Sequence, residues 1–505
     1  MLRSSPFKPI GTAVFALLLM LVCVNALLYA AKAANPLVAS DSWHFVDTLL
    51  REVIEGQFSI GDLFAKRSPF DHSQPLRKLI MLFHYRYFDL DFGIEAIIGV
   101  LVAFMNLALF WWIALASRKS VDGGSWRVRL LFLALSAVYL SLNSGVVFNW
   151  SLLTLSYTSH TFILVFLASA WWAYQAPVPA RLAALFAAAL LMNVVADDTG
   201  LVASVAALLA ASLWGFRDRR WATVAKVVVG IILAFVAYRL FYVWVTHGSG
   251  TAAAHAMPSA ASRLSALIAH GADLKQASIV PLTASVAHRM QLRALLGANT
   301  VGAELAIALL LVAAHLWFWW RAVTGKRNIA TFVAVSLMLV FYGLIAGMLL
   351  VRVSTHGMNY LWQPRYVLIY EWNVIALLLM ALAQRPAPED TDAPRMDFGF
   401  RAQSWVAALV AAMLLLWQVP LSLYTWHSLK YVSAYQQHMA LQLGAVAENP
   451  AVKPANCVPM LTICKFDPRR RTAVLRLLRK HHLNLFSPAF RDRNRLYLSN
   501  EDVSR

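Results

Sequence analysis

The chain alternates long apolar runs with polar connections, and this alternation is the dominant pattern of the sequence. Windows of about 19 residues, enough for a helix to cross the hydrocarbon core of a bilayer, are mainly apolar at eleven places. The predicted transmembrane helices are residues 10–31, 95–116, 129–147, 160–175, 181–196, 199–215, 221–245, 299–320, 329–351, 366–384 and 403–424. The pattern predicts an all-α polytopic membrane protein with about 11 transmembrane helices.

Three longer polar segments divide the chain into a membrane domain and a tail. The membrane domain, residues 1–424, contains a first loop, residues 32–94, and a second loop, residues 246–298. The tail is residues 425–505. Because the first loop is rich in Asp, His, Arg and aromatic side chains, it is the first place to look for chemistry.

The tail contains a run with the pattern of an amphipathic helix. After the turn at Asp467 and Pro468, leucines alternate with arginines up to about Asn484, which predicts a short helix lying on the membrane or on the external loops. The tail also holds Cys457 and Cys464. They form a disulfide if they face an oxidising compartment, and otherwise they are two unrelated thiols.

Composition strengthens the membrane assignment. Hydrophobic residues make up 60% of the chain and charged residues 14%, whereas a soluble protein has roughly 25% charged residues. The net charge of +19 would indicate nucleic-acid binding in a soluble protein. In a membrane protein, Lys and Arg of the cytoplasmic loops account for it, so no nucleic-acid partner is expected.

The distribution of Lys and Arg predicts the orientation. Basic residues occur in alternate short loops, such as residues 217–220, while residues 149–159 and 196–200 contain none. The positive-inside rule therefore places the N-terminus in the cytoplasm and the tail outside. The first apolar run begins like a signal peptide but is longer than a usual signal core, so we interpret it as a retained helix.

The first acidic residue after this helix is Asp41. Phe45, Leu49 and Val53 follow at spacings of four, which predicts a juxtamembrane helix that begins near Ser42. Asp41 is then either the N-cap of this helix or a group with a chemical role.

A second polar cluster of the first loop places Asp71 and His72 shortly before Arg77 and Lys78. An acid, an imidazole and two cations this close together suit an anionic sugar or a phosphate. The same residues also suit a solvated turn at the level of the lipid headgroups.

Asp197 and Asp198 interrupt two apolar runs on the same predicted face as the first loop. Acidic residues at membrane depth are costly and usually functional. A tight turn between helices, with an Asp as cap and Gly200 easing the bend, explains them equally without chemistry.

Further cations lie near the external ends of predicted helices. Arg239 either pairs with Glu304 or extends to the headgroups. Arg352 and His356 precede the tenth helix, and a proline is predicted to begin that helix directly before Arg365. A cation at this level, beside aromatic side chains, suits a lipid phosphate.

In their order and shared face, these motifs resemble the integral membrane glycosyltransferases of the GT-C fold, in particular bacterial members that use polyprenyl-phosphate sugars. The motifs are SDSWHF around Asp41, HSQPL from His72, ADDTG around Asp197 and Asp198, and QPRY around Arg365. Many members have adjacent acids in the first loop, whereas a serine follows Asp41 here.

The resemblance implies a GT-C-like membrane domain that transfers sugar from a polyprenyl-phosphate-linked donor to an envelope glycan, lipid or protein. The reaction would take place at the periplasmic face of the bacterial inner membrane. Asp41 would be the base and Asp197 or Asp198 would hold the acceptor, while arginines would face the donor phosphate. The substrate-binding candidates are His44, Asp71, His72, Arg239, Arg352, His356 and Arg365.

No cofactor is evident in the sequence. Some members of the family use a divalent metal and others do not, and no metal-ligand set is visible here. A transporter or flippase for a lipid-linked or anionic substrate is the alternative function. An envelope assembly protein without chemistry is a third.

Overall fold

The structure is a computed structural model that describes residues 7–66, 73–117, 125–247, 259–269, 275–383, 397–451 and 456–495. Within these residues every regular element is a helix. In chain order the α-helices are α1 (Phe7–Ala33), α2 (Ser42–Phe45), α3 (Arg51–Ile54), α4 (Ile60–Phe64), α5 (Pro75–Phe88), α6 (Phe92–Ala116), α7 (Trp126–Tyr139), α8 (Val146–Asn149), α9 (Ser151–Thr154), α10 (Ser156–Gln175), α11 (Pro179–Ala196), α12 (Asp198–Asp218), α13 (Trp221–Thr246), α14 (Ala260–Ala269), α15 (Gln276–Ala284), α16 (Arg289–Leu296), α17 (Thr300–Thr324), α18 (Ile329–Met348), α19 (Ser354–His356), α20 (Val367–Ala383), α21 (Asp397–His427), α22 (Leu429–Glu448), α23 (Pro468–Lys480) and α24 (Pro488–Arg493).

Ten of the described helices, some extended by adjoining turns, are long and apolar enough to cross a membrane. They contain α1, α6, α10, α11, α12, α13, α17, α18, α20 and α21. The prediction of an all-α, multi-pass membrane protein is therefore confirmed.

The third predicted transmembrane helix is shorter than the sequence suggested. α7 has 14 residues, about 21 Å, and ends at Tyr139 rather than at residue 147. The chain still covers the depth of the bundle, because the ring of Trp126 contacts that of Trp405 of α21 and Gly145 lies beside Thr425, about 30 Å further along α21. Non-helical backbone at this depth is tolerated because protein surrounds it.

The bundle is built around α20, the most enclosed of the long helices. α18 and α7 pack against α20, and α10 and α12 pack against α18. α1, α17 and α21 lie at the periphery and expose large apolar side chains such as Leu310 and Leu416, which a bilayer would cover. We call the end of the bundle that carries the first loop the loop face.

A second hydrophobic core lies at the loop face and joins the first loop to the tail. Trp43 and Val46 of the first loop and Leu475, Leu478 and Phe490 of the tail are buried in it. The amphipathic helix of the tail is α23, which ends at Lys480, and its apolar side therefore packs on the first loop and not on a membrane.

Polar contacts reinforce this second core. The side-chain amide of Asn484 donates to the carbonyl oxygens of Leu90 (2.7 Å) and Pro36 (3.0 Å). Cys457 and Cys464 form a disulfide, which decides between the two possibilities left open by the sequence.

Candidate functional site

The beginning of α5 brings together acidic residues that are distant in the sequence. The backbone N–H of Ser73 donates to Asp197 Oδ2 at 2.8 Å. One turn later, Arg77 donates to Ser156 Oγ at 2.7 Å and lies close to the carboxylates of Asp41 and Glu95. Asp41 and Asp197 therefore converge on the same short stretch of chain, residues 73–77.

Arg77 is the central cation of these residues, and we call Arg77 with Asp41, Glu95, Ser156 and Asp197 the Arg77 group. Burial lowers the pKa of Arg77 to about 10, and the nearby charges of Asp41 and Glu95 oppose that effect. The guanidinium therefore stays charged at neutral pH, between the side chains of Asp41 and Glu95. The sequence placed Arg77 in a polar cluster but did not single it out, because its partners come from three other elements.

Asp41 lies directly before α2, and the juxtamembrane helix begins at Ser42 as predicted. Its backbone is already helical (φ −65°, ψ −24°), and its side chain makes no cap hydrogen bond. The carboxylate is therefore not used as an N-cap. The carboxylate instead lies close to Arg77 of α5.

Glu95 is a site residue that the sequence analysis missed. It lies in the first turn of α6, is 3% exposed, and has the Ser151 side chain within hydrogen-bonding reach. Its Oε1 atom has no hydrogen-bond partner among the described residues. An acidic residue beside a transmembrane run is a signal that could have identified it.

Asp197 has a backbone conformation that is rare for any residue with a side chain, with φ 46° and ψ −123°. Its carboxylate accepts from Ser73 and, at 3.3 Å, from the Tyr238 hydroxyl, and Lys66 Nζ lies 3.8 Å from Oδ2. The carboxylate makes no cap hydrogen bond to α12. Asp197 thus connects the first loop to α12 and α13.

Asp198 differs from its neighbour in exposure. Its side chain is 60% exposed, and its Oδ1 lies 3.9 Å from Lys66 Nζ. The turn itself is tight, since a Cβ at Gly200 would come within 3.2 Å of Asn193 Cα. The chain therefore combines the two interpretations of this pair: the backbone makes a close turn, and the carboxylates face the first loop.

Lys66 was also missed by the sequence analysis. It approaches both Asp197 and Asp198 from the first loop. Asp71 and His72, two of the predicted substrate-binding residues, follow Lys66 in the sequence and lie outside the described residues.

His44 follows Asp41 by one turn of the juxtamembrane helix. Its ring is 5.1 Å from the ring of Phe466, so it contacts the tail. The next acidic residue, Asp47, is 1% exposed and pairs with Arg470 of α23 and, at 3.4 Å, with Arg51. This side of the juxtamembrane helix therefore holds the tail.

A cluster of cations and aromatic rings, which we call the Arg365 cluster, lies before α20. Arg365 donates to the Tyr360 hydroxyl, and its guanidinium lies 5.2 Å from the ring centre of Tyr366. The ring of His356 stacks on Tyr360 at 4.8 Å, and Arg352 is close to Tyr366. The sequence grouped Arg352, His356 and Arg365 correctly.

The predicted helix start at Pro364 is a 3-10 turn, Pro364–Tyr366, that leads into α20. This turn packs against α8, and α8 packs against α9, which carries Ser151 beside Glu95. The Arg365 cluster and the Arg77 group therefore flank the same segment, residues 146–154, at the loop face.

Arg239 does not pair with Glu304, so that possibility is wrong. Glu304 accepts two hydrogen bonds from Arg289, at 2.6 and 2.8 Å. Arg239 is exposed on α13, and its guanidinium lies 5.3 Å from the ring centre of Tyr242. Tyr242 is also close to Lys66 and Asp197, so Arg239 lies at the outer edge of the residues around Asp197.

Among the described residues, no three or more His, Cys, Asp and Glu side chains are grouped so that they could hold a metal ion. No protein-family model, curated protein or solved structure matches the chain. The argument for function consequently rests on the geometry of the loop face.

Proposed function

We propose that the chain is a membrane glycosyltransferase that moves a sugar from a polyprenyl-phosphate donor to a cell-envelope acceptor at the loop face. The observation that supports it most is the convergence of Asp41 and Asp197 on residues 73–77, beside the buried cation Arg77. The disulfide of the tail favours an oxidising compartment, here the periplasm, for this face.

The reaction needs a base on the acceptor and cations on the donor. The acceptor hydroxyl attacks the anomeric carbon, its proton passes to Asp41, and the bond between that carbon and the donor phosphate oxygen breaks. The phosphate leaves with the bonding electrons. Arg365 and Arg352 supply positive charge for it among aromatic rings, which suit the lipid part of the donor.

The two acids of the α11–α12 turn have different roles in this proposal. Both oxygens of Asp197 already accept hydrogen bonds, so Asp197 positions the beginning of α5 and through it Arg77. Asp198 is exposed beside Lys66 and would hold acceptor hydroxyl groups.

The test is sugar transfer by the full chain in proteoliposomes, with a radiolabelled polyprenyl-phosphate sugar and an envelope fraction as acceptor. We expect Asp41→Asn to reduce the transfer rate by about 100-fold or more, since the acceptor loses its general base. Asp492→Asn is the matched control, because Asp492 is an exposed acid of the tail outside this group. Equal rates for the two variants would remove the catalytic role of Asp41.

A transporter remains the second candidate because polar side chains lie deep in the bundle. Asn106 donates to the Tyr139 hydroxyl at 2.8 Å, that hydroxyl lies 3.1 Å from His160 Nδ1, and Glu371 of α20 is 3% exposed. Buried polar residues of this kind line substrate and proton pathways. Movement of the labelled lipid across the bilayer without a new glycosidic bond would favour this function over transfer.

A further inference from the structure

The outer side of α23 carries a row of cations that the proposed reaction does not use. Arg469, Arg476 and Lys480 occupy positions i, i+7 and i+11, so they lie within about 40° of one another around the helix and extend over about 16 Å. All three are exposed. We call these three residues the basic stripe.

No charge within α23 neutralises the basic stripe. The helix sequence, PRRRTAVLRLLRK, has no acidic residue. Asp467, the nearest acid, accepts a hydrogen bond from the backbone N–H of Arg470 at 3.0 Å as the N-cap, and this bond lowers the pKa of Asp467.

Other arginines of the tail have partners within the protein. Arg470 pairs with Asp47, Arg471 donates to four carbonyl oxygens, and Arg493 pairs with Asp91. Within the part of the chain that the structure describes, no carboxylate pairs with the stripe. Three like charges held in one row repel each other, and an anionic partner would relieve that repulsion.

Helix α22 separates the stripe from the end of α1. The side-chain amide of Gln436 in α22 donates to the carbonyl oxygen of Ala33, the last residue of α1. Arg479, next to the stripe, bonds the carbonyl of Ala447, about 16 Å further along α22.

The apolar side of α23 cannot insert into a membrane, since Val474, Leu475 and Leu478 are buried against the first loop and α22. A helix that bound lipid would turn that side to the bilayer. The stripe therefore lies on the exposed side of α23, opposite the side that packs on the first loop.

We propose that the basic stripe is a docking surface for an anionic glycan of the cell envelope, whose carboxylates or phosphates bind the guanidinium groups in pairs of hydrogen bonds. The inference rests on the proposed function, because it assigns the acceptor to acidic glycans. α23 is joined to the juxtamembrane helix through Asp47 and Arg470, and that helix begins next to Asp41. A glycan held on the stripe is thereby retained near the proposed base.

The test measures binding of fluorescent polygalacturonate to the full chain in nanodiscs of neutral lipid, at several salt concentrations. The variant carries Arg469→Gln, Arg476→Gln and Lys480→Gln. We expect its affinity to be at least roughly tenfold weaker than that of the unchanged chain, and its salt dependence to be smaller. These side chains face solvent, so the thermal unfolding temperature should not change.

The matched control removes three exposed cations of the loop face away from α23, Lys275, Arg293 and Lys430. It should bind polygalacturonate like the unchanged chain. Equal weakening of both triple variants would show that only net charge matters and would overturn the proposal, as would absence of binding by the unchanged chain. Tighter stripe-dependent binding of polyglutamate would assign the surface to an acidic protein and overturn the glycan assignment.

Binding of polygalacturonate needs no sugar donor. The experiments therefore distinguish failure of the docking surface from failure of the proposed glycosyltransferase function. The Asp41→Asn variant should bind polygalacturonate normally while losing transfer. Normal binding without any transfer activity in the unchanged chain would contradict the proposed function alone. Normal transfer to acidic glycans by the stripe variant would contradict the docking surface alone.

Discussion

At the scale of single residues, Asp197 combines an unfavourable backbone conformation with a carboxylate that binds three groups. Ser73, Tyr238 and Lys66 approach that carboxylate from two different elements. Residues in sparsely populated φ and ψ regions persist when their surroundings stabilise them, and they are concentrated at functional sites. The side-chain contacts and the strained backbone of Asp197 can be separated experimentally.

Asp197→Ala and Asp197→Gly remove the same carboxylate, but only alanine retains a Cβ at φ 46°. We expect the free energy of unfolding of the glycine variant to exceed that of the alanine variant by about 1–2 kcal/mol. Unfolding in detergent micelles, followed by Trp fluorescence, measures the difference. A glycine variant no more stable than the alanine variant would show that the backbone is unstrained.

His84 of α5 gives the stability a dependence on pH. It is fully buried, and burial lowers its pKa to about 4, an effect only partly offset by the backbone of Asp91. An unfolded chain has the ordinary pKa of 6.5. Between these two values the unfolded state binds one proton more than the native state, so stability decreases as the pH falls.

We expect this one side chain to contribute a loss of about 3 kcal/mol between pH 7 and pH 4. His84→Leu removes that contribution. The unfolding temperatures of the unchanged chain and of His84→Leu, measured at pH 7 and pH 4.5, test this. The unfolding temperature of the unchanged chain should fall more in acid, so its difference from that of the variant should narrow or reverse. Parallel pH curves would mean that His84 does not bind the proton.

At the scale of elements, the tail depends on the contact of α23 with the juxtamembrane helix. Asp47 lies in the π-helical turn Val46–Leu50, is 1% exposed, and pairs with Arg470. Removing Arg470 leaves the buried charge of Asp47 with weaker compensation, which among the described residues comes from Arg51 at 3.4 Å.

Arg470→Gln is therefore expected to destabilise the docking of α23 by on the order of 2 kcal/mol, less than for a fully buried pair because Arg470 is partly exposed. Hydrogen exchange of the α23 amides, read by mass spectrometry, should accelerate by roughly 30-fold. The neighbouring variant Arg469→Gln should leave the exchange unchanged, because Arg469 is exposed. Similar exchange in both variants would exclude the pair as the main contact.

At the scale of the whole molecule, the first loop, α22 and the tail share one hydrophobic core at the loop face. They must therefore lie on the same side of the membrane. Positive charges in the short connections of the opposite end, including Arg219, predict that this end lies in the cytoplasm.

A cysteine at position 469, made by Arg469→Cys, should react with a membrane-impermeant maleimide in intact spheroplasts. A cysteine at position 219, made by Arg219→Cys, should react only after permeabilisation. Cys457 and Cys464 should stay unlabelled because they are joined in a disulfide. Labelling of position 219 in intact spheroplasts would reverse the predicted topology.

The sequence by itself determined the fold class, because apolar runs of this length and number have few stable solutions other than transmembrane helices. It also placed the start of the juxtamembrane helix at Ser42 and grouped Arg352, His356 and Arg365. These features depend on spacing within one segment, and local spacing is what a single sequence records.

Only the tertiary structure decided which distant groups meet. The partners of Arg77 come from residues before α2, from α6 and from α10, and Glu304 pairs with Arg289 rather than Arg239. The early end of α7 is a tertiary effect of the same kind, because surrounding protein supports the non-helical backbone that follows. The sequence alone also does not determine that α23 packs on the first loop, since an amphipathic pattern specifies an apolar face but not what covers it.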